Sequence, residues 1–126
     1  MSYSFHIEGG PGGMFAMNGK EMSIMRELMR EVGAVRDPMT VRALSGPTAH
    51  PDAPPVARFS GTLGELVLAS ECAVIAARLR EHRSLAHDFS SFFAGDWPTG
   101  AALDAWLERW IDFNEHAAAA GGYRVR

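Results

Sequence analysis

This chain of 126 residues has one cysteine, one lysine and no long apolar run, and each shortage closes off a class of function. With Cys72 alone there is neither an internal disulfide nor a cysteine-built zinc site. No stretch approaches the roughly 18–20 apolar residues that cross a bilayer. The opening Met1-Ser2-Tyr3-Ser4-Phe5-His6 lacks the charged start and apolar core of a secretory signal. A cytoplasmic location is the resulting expectation. Lys20 is the only lysine, the arginines form no run, and 15 acidic against 12 basic side chains leave a net charge of −3. That balance weighs against nucleic acid, which needs a clustered basic surface.

Catalytic and cofactor signatures are also missing. There is no Gly-x-Ser-x-Gly elbow and no histidine pair at the i, i+4 spacing of a helical zinc site. His82 and His87 are five apart, and Glu81-His82 and Glu115-His116 lack a second histidine. Gly19-Lys20 resembles the end of a phosphate loop, but Met14 stands where its first glycine belongs and Glu21 where its hydroxyl belongs. Cys72 lies on an apolar helical stripe, where a thiol is buried and inert. No metal and no cofactor are expected, and binding is favoured over catalysis.

What is present is patterning. Tyr3, Phe5 and Ile7 alternate with Ser4, His6 and Glu8, as in a half-buried strand. Gly9-Gly10-Pro11-Gly12-Gly13 interrupts, and Met14 to Met17 returns as the second arm of a hairpin. These glycines sit between strands, with no helix N-terminus to gather a phosphate, so they read as a turn. Asn18 and Glu21 have capping-box spacing, and Met22, Met25, Leu28, Met29 and Val32 form one helical face ending at Gly33.

The segment 36–60 holds Pro38, Pro47, Pro51, Pro54 and Pro55. Short strands are expected over Met39 to Leu44 and Val56 to Phe59. Between them lies a proline-rich loop around 46–55, expected to be the most flexible part. Thr62 and Glu65 have the spacing of a further capping box and predict a short helical turn. Beyond Ser70, Cys72, Ile75, Ala76 and Leu79 mark a second long helix. Leu85, Phe89, Phe92 and Phe93 continue at helical spacing up to Gly95-Asp96-Trp97-Pro98. Thr99 caps a last helix whose apolar face is Trp106, Leu107, Trp110 and Ile111. It stops at Gly121-Gly122, and Tyr123-Arg124-Val125-Arg126 alternates as a strand. A strand in that place needs a folded partner. The expected fold is α+β in one domain over 1–126: a small, mainly antiparallel sheet of the N-terminal hairpin and the C-terminal strand, with about three helices largely on one face.

Pairing of the last strand with the first places Tyr123 and Val125 in the core beside Tyr3, Phe5 and Ile7. Arg124 and Arg126 then share the outer face with Ser4, His6 and Glu8. Cross-strand pairing of arginine with glutamate is the structural expectation. The functional one is a binding patch of His6, Glu8, Arg124 and Arg126, since a guanidinium grips a carboxylate or phosphate through two parallel hydrogen bonds. All seven methionines precede residue 40. Thioethers fill cores and also line adaptable interfaces, so Met14, Phe15 and Met17 form a second candidate, an interface for a partner or another copy. Asp104, Glu108, Asp112 and Glu115 line one side of the last helix, as a solvated flank or a dock for a basic partner.

From Ser70 onward, Ser70-Glu71-Cys72…Ile75-Ala76…Leu79 and Trp110…Phe113-Asn114…Ala117-Ala118…Gly121-Gly122-Tyr123-Arg124-Val125 resemble the pattern of a group of small bacterial proteins without assigned activity. The resemblance implies no function. In size and acidity the chain also resembles toxin-immunity and phage-counterdefence proteins. Three expectations follow. The first is a protein-binding module of inhibitor or immunity type. The second is a small enzyme or ligand-binding domain with His6, Glu8, Arg124 and His50 as its polar groups. The third is a homodimer.

Overall fold

The computed structural model describes residues 2–8, 13–37, 47–90 and 100–126. In chain order these form β1 (Ser2–Ile7), β2 (Met14–Asn18), α1 (Gly19–Glu31), a 3-10 turn (Val56–Phe59), β3 (Glu65–Val67), α2 (Ala69–Glu81), α3 (Arg83–Ser90), α4 (Gly100–Ala119) and β4 (Tyr123–Val125). The sheet is antiparallel with order β2-β1-β4-β3. The α+β expectation holds, and so does the pairing of the last strand with the first: Phe5 faces Val125, His6 faces Arg124 and Ile7 faces Tyr123.

Alternation decides which side of the sheet is buried. Tyr3, Phe5, Met17, Val67, Tyr123 and Val125 all turn inward and are buried. Beneath them α4 brings Trp110, whose ring lies 4.9 Å from that of Phe5 and 5.2 Å from that of Phe15. Edge-on aromatic pairs of this kind favour one arrangement over other apolar packings. At the other end α1 adds Met22, Met25, Leu28 and Met29, all fully buried, so these methionines are core filler. Its start is the expected capping box: Asn18 Oδ1 accepts from Glu21 N, and Glu21 Oε1 accepts from Asn18 N, both at 2.8 Å.

Two expectations are corrected. Val56–Phe59 is a 3-10 turn rather than a strand. Pro54 and Pro55 deliver the chain extended, and the tight turn then swings Phe59 into the core against Trp110 and Tyr123. The residues after Thr62 form β3 rather than a helical turn, because β4 offers a free side and Gly64 N already donates to Val125 O at 2.8 Å. Pairing available across the sheet outweighs a local capping signal. The Cys72 stripe ends at Glu81, and Arg83–Ser90 is a separate helix. Helix α2 starts at Ala69 with Leu68 as its cap, where Glu71 Oε1 accepts from Leu68 N at 2.9 Å.

The described part of the proline-rich loop is tied down. Arg36 N donates to Pro54 O, Val56 N to Arg36 O and Arg36 Nε to Ala53 O, while His50 N donates to Gly33 O. The expected Met39 to Leu44 strand, Gly9 to Gly12, Phe92, Phe93 and the Thr99 cap lie outside the described residues.

After α4 the chain reverses through Gly121 and Gly122, with φ of 95° and 91°. A side chain at Gly122 would place its Cβ 2.0 Å from the Val67 carbonyl oxygen, whereas Gly121 faces open space. Gly121→Ala is therefore expected to cost about 1–2 kcal/mol of backbone strain. Gly122→Ala should cost more than about 3 kcal/mol, because β3 must also move. Urea unfolding of the two variants checks this, and equal losses would remove the close approach as the reason for glycine at 122.

Candidate functional site

The outer face of the sheet carries Met14 and Ala16 from β2, Ser4 and His6 from β1 with Glu8 just beyond it, Arg124 with Arg126 just after β4, and Leu66 from β3. One row across it reads Met14, His6, Arg124, Leu66. The four residues of the expected patch are thus brought onto one face, but they are not equivalent. Arg124 is committed within the fold: its Nε donates to Glu8 Oε1 at 2.8 Å and its Nη1 to the Gly64 carbonyl at 2.9 Å. This is the expected cross-strand pair, exposed enough to contribute only about 0.2–1 kcal/mol. His6 Nε2 lies 3.0 Å from Ser4 Oγ. Arg126 pairs through its backbone with Ser4, while its guanidinium has no partner among the described residues.

Beside these arginines the chain between the 3-10 turn and β3 makes a rim. Thr62, Leu63, Gly64, Arg124 and Arg126 line a shallow depression of about 370 Å³, and Leu63 is 94 % exposed. Thr62, Leu63 and Gly64 are missed when Thr62 and Glu65 are read as a capping box. Gly61 and Gly64 bracketing two residues were the available turn signal. His50 is not gathered here: it lines a separate hollow against α2 with Ala73, Val74 and Ala77.

The second candidate separates by depth. Met14 is 62 % exposed, Phe15 is partly buried against the core, and Met17 lies inside it. Met17 thus offers no surface, because the alternation that turns Met14 outward turns Met17 inward.

The acidic stripe on α4 is answered by other helices. Arg80 of α2 bonds Glu115 at 2.6 Å and Glu108 at 3.3 Å and approaches Asp112, while Arg83 pairs with Glu108. His87 Nε2 of α3 lies 2.7 Å from Asp104 Oδ1. Bonding to Arg83, then the charge of Arg80, holds the Glu108 carboxyl below its ordinary range. These exposed pairs orient α2 and α3 on α4 more than they stabilise them. Among the described residues no three His, Cys, Asp or Glu side chains converge as a metal site. No described helix is long and apolar enough to cross a membrane.

Cys72 is fully buried, and burial first, then the neighbouring Glu71 carboxylate, pushes its thiol up to about 12 from an ordinary 9.0. Burial likewise raises the Tyr123 hydroxyl well above 10.0. In the unfolded chain both groups lose protons at their ordinary values, so above those values the unfolded state binds fewer protons and stability falls as pH rises. The loss begins near pH 9 with Cys72, at about 1.4 kcal/mol per pH unit, and Tyr123 adds to it beyond pH 10. Urea unfolding across this range should show the decline, and Cys72→Ala should delay its onset to the tyrosine range. A flat profile, or rapid native-state alkylation of Cys72 near neutral pH, would contradict the assignment.

Comparison with known protein families, curated proteins and solved structures finds no match to this chain.

Proposed function

We propose that this protein is a protein-binding module of inhibitor or immunity type that works through the outer face of its sheet. The observation that carries the reading is Leu63, 94 % exposed beside the Arg126 guanidinium. An apolar side chain held out on a fixed turn, next to a cation without a partner among the described residues, suits a partner with an apolar socket rimmed by carboxylates. The α4 acids support the same face by elimination, since α2 and α3 already engage them. Small size and acidity agree with the immunity type.

Leu63→Asp and Arg126→Glu change side chains that pack against nothing essential, so both variants should keep the wild-type melting temperature. Affinity capture from the native host should recover a partner with the wild-type protein and lose it with either variant. Capture of the bait alone, or a partner retained by both variants, would remove the reading.

The depression beside Arg126 favours a second reading, a small anionic ligand. Its volume of about 370 Å³ is at the lower end of ligand sites. Calorimetric titration with phosphate and with acetate should then show saturable binding that Arg126→Ala abolishes. No heat from either anion would exclude this reading and leave the first intact.

A further inference from the structure

The sheet has two edges, and among the described residues only one of them is closed. Ser4 and Arg126 exchange both backbone hydrogen bonds, at 2.7 and 2.8 Å, and Glu8 N donates to Gly122 O at 2.9 Å. Even-numbered residues of β1 therefore turn their backbone groups to β4 and odd-numbered ones to β2, as an antiparallel ladder requires. Given the register of Tyr3 with Met17 and Phe5 with Phe15, Phe15 and Met17 bond to β1. The backbone groups of Met14, Ala16 and Asn18 point out of the sheet.

The same alternation turns Tyr123 and Val125 to β3, so within β3 Leu66 points outward, and its carbonyl accepts from Arg58 Nη1 at 2.7 Å. That edge is also only three residues long and carries the charge of Glu65. Shortness, charge and covering groups are the means by which proteins protect a sheet edge. Strand β2 shows none of them among the described residues: Met-Phe-Ala-Met-Asn contains no charge and no proline, and its five consecutive pairs leave no bulge. The Asn18 N–H is already held by Glu21 Oε1. What remains open is the N–H and C=O of Met14 and of Ala16, without partners among the described residues. The ring of Phe15, between them, touches Phe5, Trp110 and Phe113 and is still partly exposed.

We propose that β2 pairs antiparallel with β2 of a second copy of this chain, about a two-fold axis through Phe15. Met14 then stands opposite the partner's Ala16, and Ala16 opposite the partner's Met14. Each pairing exchanges two hydrogen bonds, so all four open groups of each copy are satisfied. Phe15 meets the partner's Phe15 at the non-bonded position, where facing side chains come closest. Met17 falls opposite the partner's Gly13, which brings no side chain. An axis through Ala16 would instead set Met14 against Asn18, whose N–H the capping box has taken. Among the described residues the strand is thus complementary to itself in one register, and that selects a second copy over a foreign strand. The sheet becomes eight-stranded, and the Leu63 and Arg126 end of each copy stays free.

Sedimentation equilibrium at rising concentration, to about 100 µM, reads the association directly. The 126-residue chain should approach twice its 13.7 kDa. Ala16→Pro and Met14→Pro each remove an outward N–H, at positions where an edge strand accepts proline. Either should raise the dissociation constant at least about tenfold with unchanged circular dichroism. Should Ala16→Pro fail to fold, Met14→Pro at the strand's first residue decides. Leu63→Asp and Arg126→Glu should leave the dimer intact, so this result is independent of partner capture. A wild-type mass of 13.7 kDa throughout, or a dimer unaffected by both proline variants, would overturn the proposal.

Discussion

Strand β4 lies between β1 and β3, and a buried contact fixes its offset against α4, which packs beneath the sheet. The holding contact is a buried hydrogen bond of 2.9 Å from the Tyr123 hydroxyl to Asn114 Oδ1. Asn114 in turn donates to the Trp110 carbonyl one helical turn back, also at 2.9 Å. Both ends of the contact are fully buried. Such a bond adds only about 1 kcal/mol when made, but leaving its acceptor empty in the core costs the full desolvation of that group. The helix and the strand that follows it therefore hold a single offset. That offset sets the depth of Trp110, the ring around which Phe5, Phe15, Phe59 and Phe113 gather.

Much of this was legible in the residue pattern, for a physical reason. Wherever a period or a cap is local, the chain declares it: Asn18 and Glu21 make both bonds of their box, and the alternation of Tyr3, Phe5 and Ile7 sets the buried face. Placing β4 beside β1 needed only the argument that an alternating tail must find a sheet. The failures lie where a distant segment overrides a local signal. Thr62 and Glu65 have the spacing of a cap, yet β4 recruits the segment as a strand. Val56–Phe59 has strand-like residues, yet packing against Trp110 in the core takes Phe59 inward through a tight turn. The patch of His6, Glu8, Arg124 and Arg126 was readable as one face, but not its unequal commitments. Arg124 is occupied through a carbonyl of Gly64, sixty residues away in sequence.

Charge in this protein is mostly spent on internal geometry. Arg58 joins Glu71 to the β3 edge, Arg80 and Arg83 gather the α4 acids, and Arg30 pairs with Glu27 and Asp37. Arginine suits such roles because its planar fork serves two or three acceptors at once, whereas lysine offers a single point charge. The near absence of lysine is thereby given a structural sense. Against this background a guanidinium such as that of Arg126, outside any described pair, stands out more than net charge would suggest.

The place of β4 in the strand order also bears on how the molecule comes into being. An interior strand that follows the other described elements leaves the ribosome after all of them. Until then β1 and β3 have no common neighbour, and the opening hairpin waits with one long side unfilled. Completion of the sheet joins residues more than a hundred positions apart, a closure that slows folding relative to helical proteins of this size. Nascent chains are thus exposed longest at the hairpin, and a cell making this protein quickly has reason to keep chaperones near it.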